Sequence, residues 1–122
     1  MTKSKKTLII GATTKPQRAA FKAIEVLMSK GHSVIAVGRN SGEVAGIKIN
    51  TKAIPVKNID TVSLYINPSR QRAYYNYIIE ANPKRVIFNP GTENPEFYQL
   101  LQVNNITVEV ACTLVMLALN DY

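Results

Sequence analysis

The sequence predicts an α/β protein: a Rossmann-like doubly wound parallel sheet of about five strands, with helices on both faces. Two observations predict it. Short continuous apolar runs recur along the chain, beginning with Leu8-Ile9-Ile10 and Val34-Ile35-Ala36-Val37, as in strands buried on both faces. Between them lie stretches with apolar residues at helical spacing, so strand and helix alternate and the sheet is parallel.

The first strand, Leu8-Ile9-Ile10, is expected to stop at Gly11, whose missing Cβ permits a sharp turn and a close ligand approach. The loop Ala12-Thr13-Thr14-Lys15-Pro16 then feeds a helix whose stripe is Ala20, Ile24, Leu27 and Met28. Such a helix start aims unpaired N–H groups at the loop and favours an anion. Lys30-Gly31 closes the helix, and Ser33–Val37 completes a βαβ unit. Gly38–Gly42 reads as a loop, and Gly46–Asn50 as a short extended segment. Thr61–Ile66 is the third main strand, and Ser69 is expected to cap a helix burying Tyr74, Tyr77, Ile78 and Ala81. Asn82-Pro83 ends that helix. Strand four is Arg85–Phe88. Asn94-Pro95 starts a helix expected to bury Phe97, Leu100, Leu101 and Val103. Ile106–Val110 is strand five, and Cys112–Leu119 a nearly all-apolar final helix.

In such sheets ligands bind beyond the carboxyl ends of the strands. Four loops meet there, Gly11–Arg18, Gly38–Gly42, Asn67–Arg70 and Asn89–Glu93, carrying Lys15, Arg18, Arg39 and Arg70.

The 122 residues, 46% hydrophobic and 19% charged, read as a single globular domain spanning 1–122, with a basic, flexible tail over 1–6. No apolar run is long enough for a membrane span, and the single cysteine, Cys112, suits a reducing, cytoplasmic setting. Fifteen Lys and Arg against eight Asp and Glu leave a formal charge of +7, which suits a polyanionic partner. Those cations are scattered and follow no helix face, which speaks against nucleic acid.

With the loops in place, the sequence resembles the small single-domain CoA-binding proteins, relatives of the N-terminal CoA-binding domain of the succinyl-CoA synthetase α subunit. The matching segments are IIGATTKPQRAAFKAIEVLMSKGHSVIAVGRN, GIKI, IDTVSLYINP, RVIFNPGTENPEF and VEVACTLVMLAL. The resemblance implies binding of coenzyme A, or an acyl-CoA, through its ADP moiety, without evident catalysis. It sets Gly11, Thr13, Thr14, Lys15 and Arg18 against the diphosphate. Gly38, Arg39 and Asn40 fall near the ribose and its 3′-phosphate, and Ile66, Asn67 and Pro68 against the adenine. Asn89, Pro90, Gly91 and Thr92 fall on the pantetheine side. Many relatives have an Asn-Pro after the second strand, where this chain has Gly38-Arg39-Asn40-Ser41.

Arg39 discriminates most. A NAD site usually places a carboxylate there for a ribose hydroxyl, whereas a guanidinium offers paired donors to phosphate. That leaves NADP and CoA open, so an NADP-binding reductase-like domain is the rival reading, and a basic nucleic-acid module the second. No catalytic residue and no metal cluster emerges. His32 is expected at the amino edge, Cys112 as a buried structural thiol, and Glu93 as an acid by position alone. Tyr75 is expected to point outward. The segment Leu114–Leu119 is expected either deep in the core or in a homo-oligomer interface.

Overall fold

The computed structural model describes residues 3–122. Its strands are β1 (Thr7–Ala12), β2 (Val34–Gly38), β3 (Gly42–Val44), β4 (Ile47–Asn50), β5 (Thr61–Leu64), β6 (Arg85–Phe88) and β7 (Thr107–Val110). Its helices are α1 (Ala19–Ser29), α2 (Pro68–Gln71), α3 (Tyr75–Ala81), α4 (Pro95–Val103) and α5 (Thr113–Ala118), with a 3-10 turn over Arg72–Tyr74. They form one seven-stranded sheet in the order β3-β4-β2-β1-β5-β6-β7.

The apolar runs alternate faces. Leu8, Ile10, Val62, Leu64, Val86 and Phe88 pack toward α3 and α4 with Ile78, Phe97 and Leu101. Ile9, Ala36, Ile49 and Ile87 pack the other way, against Ala20, Ile24 and Leu27 of α1 and Leu117 of α5. Burial on both faces removes the polar alternation of a one-sided sheet, which is why these strands read as unbroken apolar runs.

The sheet exceeds the expected five strands because Gly42–Val44 pairs antiparallel with Ile47–Asn50 at one edge. Ala45 and Gly46, both at positive φ, make the two-residue turn between them, a geometry that matches strand twist. The first strand does not stop at Gly11 but continues to Ala12, with a register shift between Ile10 and Ala12. The third main strand ends at Leu64, two residues early, which releases Tyr65 and Ile66 into the turn that follows.

Three helical expectations change. Asn67, not Ser69, caps α2, its side chain accepting from the Arg70 N–H at 3.1 Å. The second helix breaks at Arg72–Tyr74, and Tyr75 stacks on Phe97 at 4.2 Å between ring centroids instead of pointing outward. On α4, Phe97 and Leu101 are buried, but Leu100 and Val103 are exposed, 39% and 80%. The C-terminal helix buries only one side: Leu117 is enclosed while Val115 and Leu119 lie open. Cys112 is half-buried, not enclosed.

At the amino edge, His32 sits where expected, buried between α1 and β2, with Nδ1 accepting the Lys5 N–H at 2.9 Å. Its ring meets Tyr122 edge-on at 5.0 Å. The Tyr122 hydroxyl hydrogen-bonds Thr7 Oγ1, and the Arg85 guanidinium covers its ring at 4.6 Å. Lys5 Nζ also donates to the Tyr122 carbonyl, and Lys6 Nζ to that of Lys57. Within the basic segment expected to be flexible, Lys5 and Lys6 are therefore held. Met1 and Thr2 of that segment lie outside the described residues.

Candidate functional site

A cleft of about 370 Å³ opens at the carboxyl edge between the loops after β1, β2 and β5. Parallel pairing of β1 with both β2 and β5 puts these three loops side by side. Gly11, at φ +98°, forms its wall: a Cβ there would stand 2.9 Å from the Tyr65 carbonyl carbon. Only glycine allows β1 to run that close to the chain leaving β5. Thr13, Thr14, Lys15, Arg18, Arg39, Asn40 and Ile66 line the same space. All are residues for which the resemblance implies a contact.

The start of α1 faces the cleft through Ala19 and Ala20. Its N-cap, Arg18, makes no side-chain capping bond, and no acidic residue occupies the first turn. The first amides of the helix are thus left for an outside acceptor, and the helix dipole favours an anion there. Four cations, Lys15, Arg18, Arg39 and Arg70, surround that point. Among the described residues none of the four forms an ion pair; the three salt bridges present use Arg72, Lys84 and Arg85 instead. The lining holds no Asp, Glu, His or Cys.

Seven of the expected contact residues are not in the lining. Gly38 lies beneath the cleft, buried against the Ala12 carbonyl oxygen, where any Cβ would collide. Asn67 and Pro68 are exposed on the outer side of the turn. Pro68 lines a neighbouring hollow with Ser69, Arg72, Tyr75, Asn94 and Glu96. Asn89 is 2% exposed and ties three elements together. Its Nδ2 donates to Ser63 Oγ and the Leu64 carbonyl, and its Oδ1 accepts from the Thr113 N–H, each at 2.8 Å. Thr92 is buried, with its hydroxyl on the Asn89 carbonyl at 2.7 Å. Pro90 and Gly91 are exposed at the tip of that loop. Glu93 Oε1 accepts the Gly91 N–H at 2.8 Å, so it braces its own loop.

Two residues of the site region carry no signal in the sequence. Tyr65 lines the cleft while its hydroxyl is buried beside Ser63 and Thr113. Those two hydroxyls bond each other at 2.8 Å, and among the described residues Tyr65 Oη is left without a partner. Burial pushes the phenol up to about 12. Gln71 is fully buried, and its Nε2 donates to the Ile66 and Thr92 carbonyls at 3.0 and 2.8 Å. It locks the loop after β5 to the loop after β6. A glutamine flanked by arginines reads as a solvent-facing helical residue, so nothing local announces this.

Strand order and the helices on both faces define a Rossmann-like α/β class, with its cleft at the carboxyl edge of the sheet. The particular family follows from comparison: residues 5–118 match the CoA binding domain model, and the chain belongs to that family. The chain is similar to an uncharacterized protein of known crystal structure, at 50% identity and TM-score 0.96, covering 99% of this chain and 100% of that one. A hypothetical protein from Pyrococcus horikoshii OT3 is 29% identical with TM-score 0.81, over 92% and 80% of the two chains. A Thermus thermophilus protein, 22% identical with TM-score 0.84 over 98% and 91%, shares the fold. No curated protein is significantly similar to the chain. Among the described residues no helix is long and apolar enough to cross a membrane.

Proposed function

We propose that this protein binds coenzyme A, free or acylated, through its ADP moiety in the carboxyl-edge cleft, and acts as a binding protein without chemistry of its own. One observation carries the reading: four cations without acidic partners ring one cleft beside an uncapped helix start. In this reading Gly11, Thr13, Thr14, Lys15 and Arg18 receive the diphosphate. Arg39 and Asn40 receive the ribose phosphate, for which a guanidinium gives paired, charge-assisted donors. Ile66 offers apolar contact to the base, and the pantetheine leaves toward the loop at Pro90 and Gly91. The cleft lining offers no carboxylate, imidazole or thiol, which favours binding over reaction. A cytoplasmic setting belongs to the same proposal and rests on the lone cysteine.

NADP is the second reading, because Arg39 suits a 2′-phosphate as well as a 3′-phosphate. A thermal-shift panel of CoA, acetyl-CoA, 3′-dephospho-CoA, NAD, NADP and ATP separates them, since a ligand specific to the native state raises Tm. CoA and acetyl-CoA are expected to give the largest shifts, and Arg39→Glu to erase the preference for CoA over its dephospho form. A shift with NADP and none with millimolar CoA overturns the proposal.

A further inference from the structure

We infer that the cleft takes its phosphorylated ligand free of any divalent cation, with Lys15, Arg18, Arg39 and Arg70 supplying the neutralisation that magnesium provides in many nucleotide sites. This rests on the cleft being the CoA site. A magnesium ion bound with a nucleotide keeps an octahedral water shell and is normally steadied by one or two protein carboxylates. Here the lining offers none, and the first turn of α1 has no acidic residue either. The positive end of α1 and four cations with no acidic partner among the described residues already face the space, so a bound metal adds like charge with no carboxylate to steady it.

The charge count agrees. A ribose phosphate monoester carries nearly two negative charges at neutral pH, and a diphosphate diester adds one on each phosphate, matching the four side chains. Arg70 makes up the fourth. It comes from the first turn of α2, where the Asn67 cap holds its backbone N–H while, among the described residues, its guanidinium has no acidic partner. The consequence is selection by metal status. A ligand that holds magnesium weakly, such as a diphosphate diester, enters as it is. A nucleoside triphosphate, which holds magnesium tightly, is refused in its magnesium-bound form.

Titration calorimetry on the full chain tests this with CoA and ATP, each in EDTA and in excess magnesium. Magnesium is expected to weaken ATP at least about tenfold and CoA by no more than about twofold, each ligand being compared with itself with and without the metal, because a triphosphate holds magnesium more firmly than a diphosphate diester. Equilibrium dialysis of Mn²⁺ against the protein–CoA complex is expected to show no more bound metal than CoA alone carries. Arg70→Gln, at an exposed position, is expected to keep its melting temperature, bind CoA about tenfold more weakly and show a smaller magnesium penalty on ATP. Magnesium-bound ATP binding as tightly as free ATP overturns the inference, and so does Mn²⁺ held stoichiometrically with CoA. If ATP binds and CoA does not, the CoA reading alone fails and the ATP arm decides the metal question. If neither binds, both fall.

Discussion

Replacing Asn89 by alanine separates scaffold from site. The resemblance places Asn89 on the ligand, whereas the structure shows it 2% exposed and clamped to β5 and the start of α5. Its removal orphans the Thr113 N–H and takes one partner from the Leu64 carbonyl. Ser63 Oγ loses a donor but keeps Thr113 Oγ1 at 2.8 Å. Two weakened buried groups at about 1–3 kcal/mol each give a cost of roughly 2–6 kcal/mol. For a domain of this size that lowers Tm by roughly 10–20 °C. Urea unfolding at pH 7.5 with an unchanged m-value measures the loss. Below the transition, the remaining folded protein is expected to bind CoA within about threefold of the parent, under 1 kcal/mol. Parent-like stability with lost binding would refute the reasoning and return Asn89 to the ligand.

Gly11→Ala forces a side chain into positive φ and within 2.9 Å of the Tyr65 backbone. It is expected to cost about 2 kcal/mol or more and weaken CoA binding, read by denaturation and calorimetry on one sample. Tyr65→Phe removes a buried hydroxyl without a partner. Stability should hold or rise by up to about 1 kcal/mol, and a clear loss of Tm would show that the hydroxyl is satisfied. The pKa of His32 is held below the usual histidine value by burial first, then by Lys5 and Arg85. Its neutral form therefore favours the fold, so stability is full above about pH 6.5 and falls as pH drops below it. His32→Asn, which retains an acceptor for the Lys5 N–H, should flatten that part of the Tm–pH curve; an unchanged slope would assign it to other groups.

Much of the framework is local and so legible. Buried parallel strands announce themselves as apolar runs, and Gly31, Asn82-Pro83 and Asn94-Pro95 end or start helices where their backbone chemistry requires. The hairpin of β3 and β4 was not legible, because three-residue Gly42–Val44 gains its strand character only from its partner. Helical periodicity assigned Leu100 and Val103 to the core. Both are exposed instead, because periodicity gives a face but not its cover.

The candidate site divides along the same line. The sequence by itself determined the α/β class, the glycine at the end of the first apolar run and the cations at the strand ends, since each follows from residue type and order along the chain. Only the tertiary structure decided that Gly11, Lys15, Arg18, Arg39 and Arg70 share one cleft while Gly38, Asn89 and Thr92 turn inward. The physical reason is that a loop residue's direction depends on which buried polar groups need partners. Asn89 satisfies the Leu64 carbonyl and the Thr113 amide, groups 25 and 24 residues away in the chain, and no local pattern records such a debt.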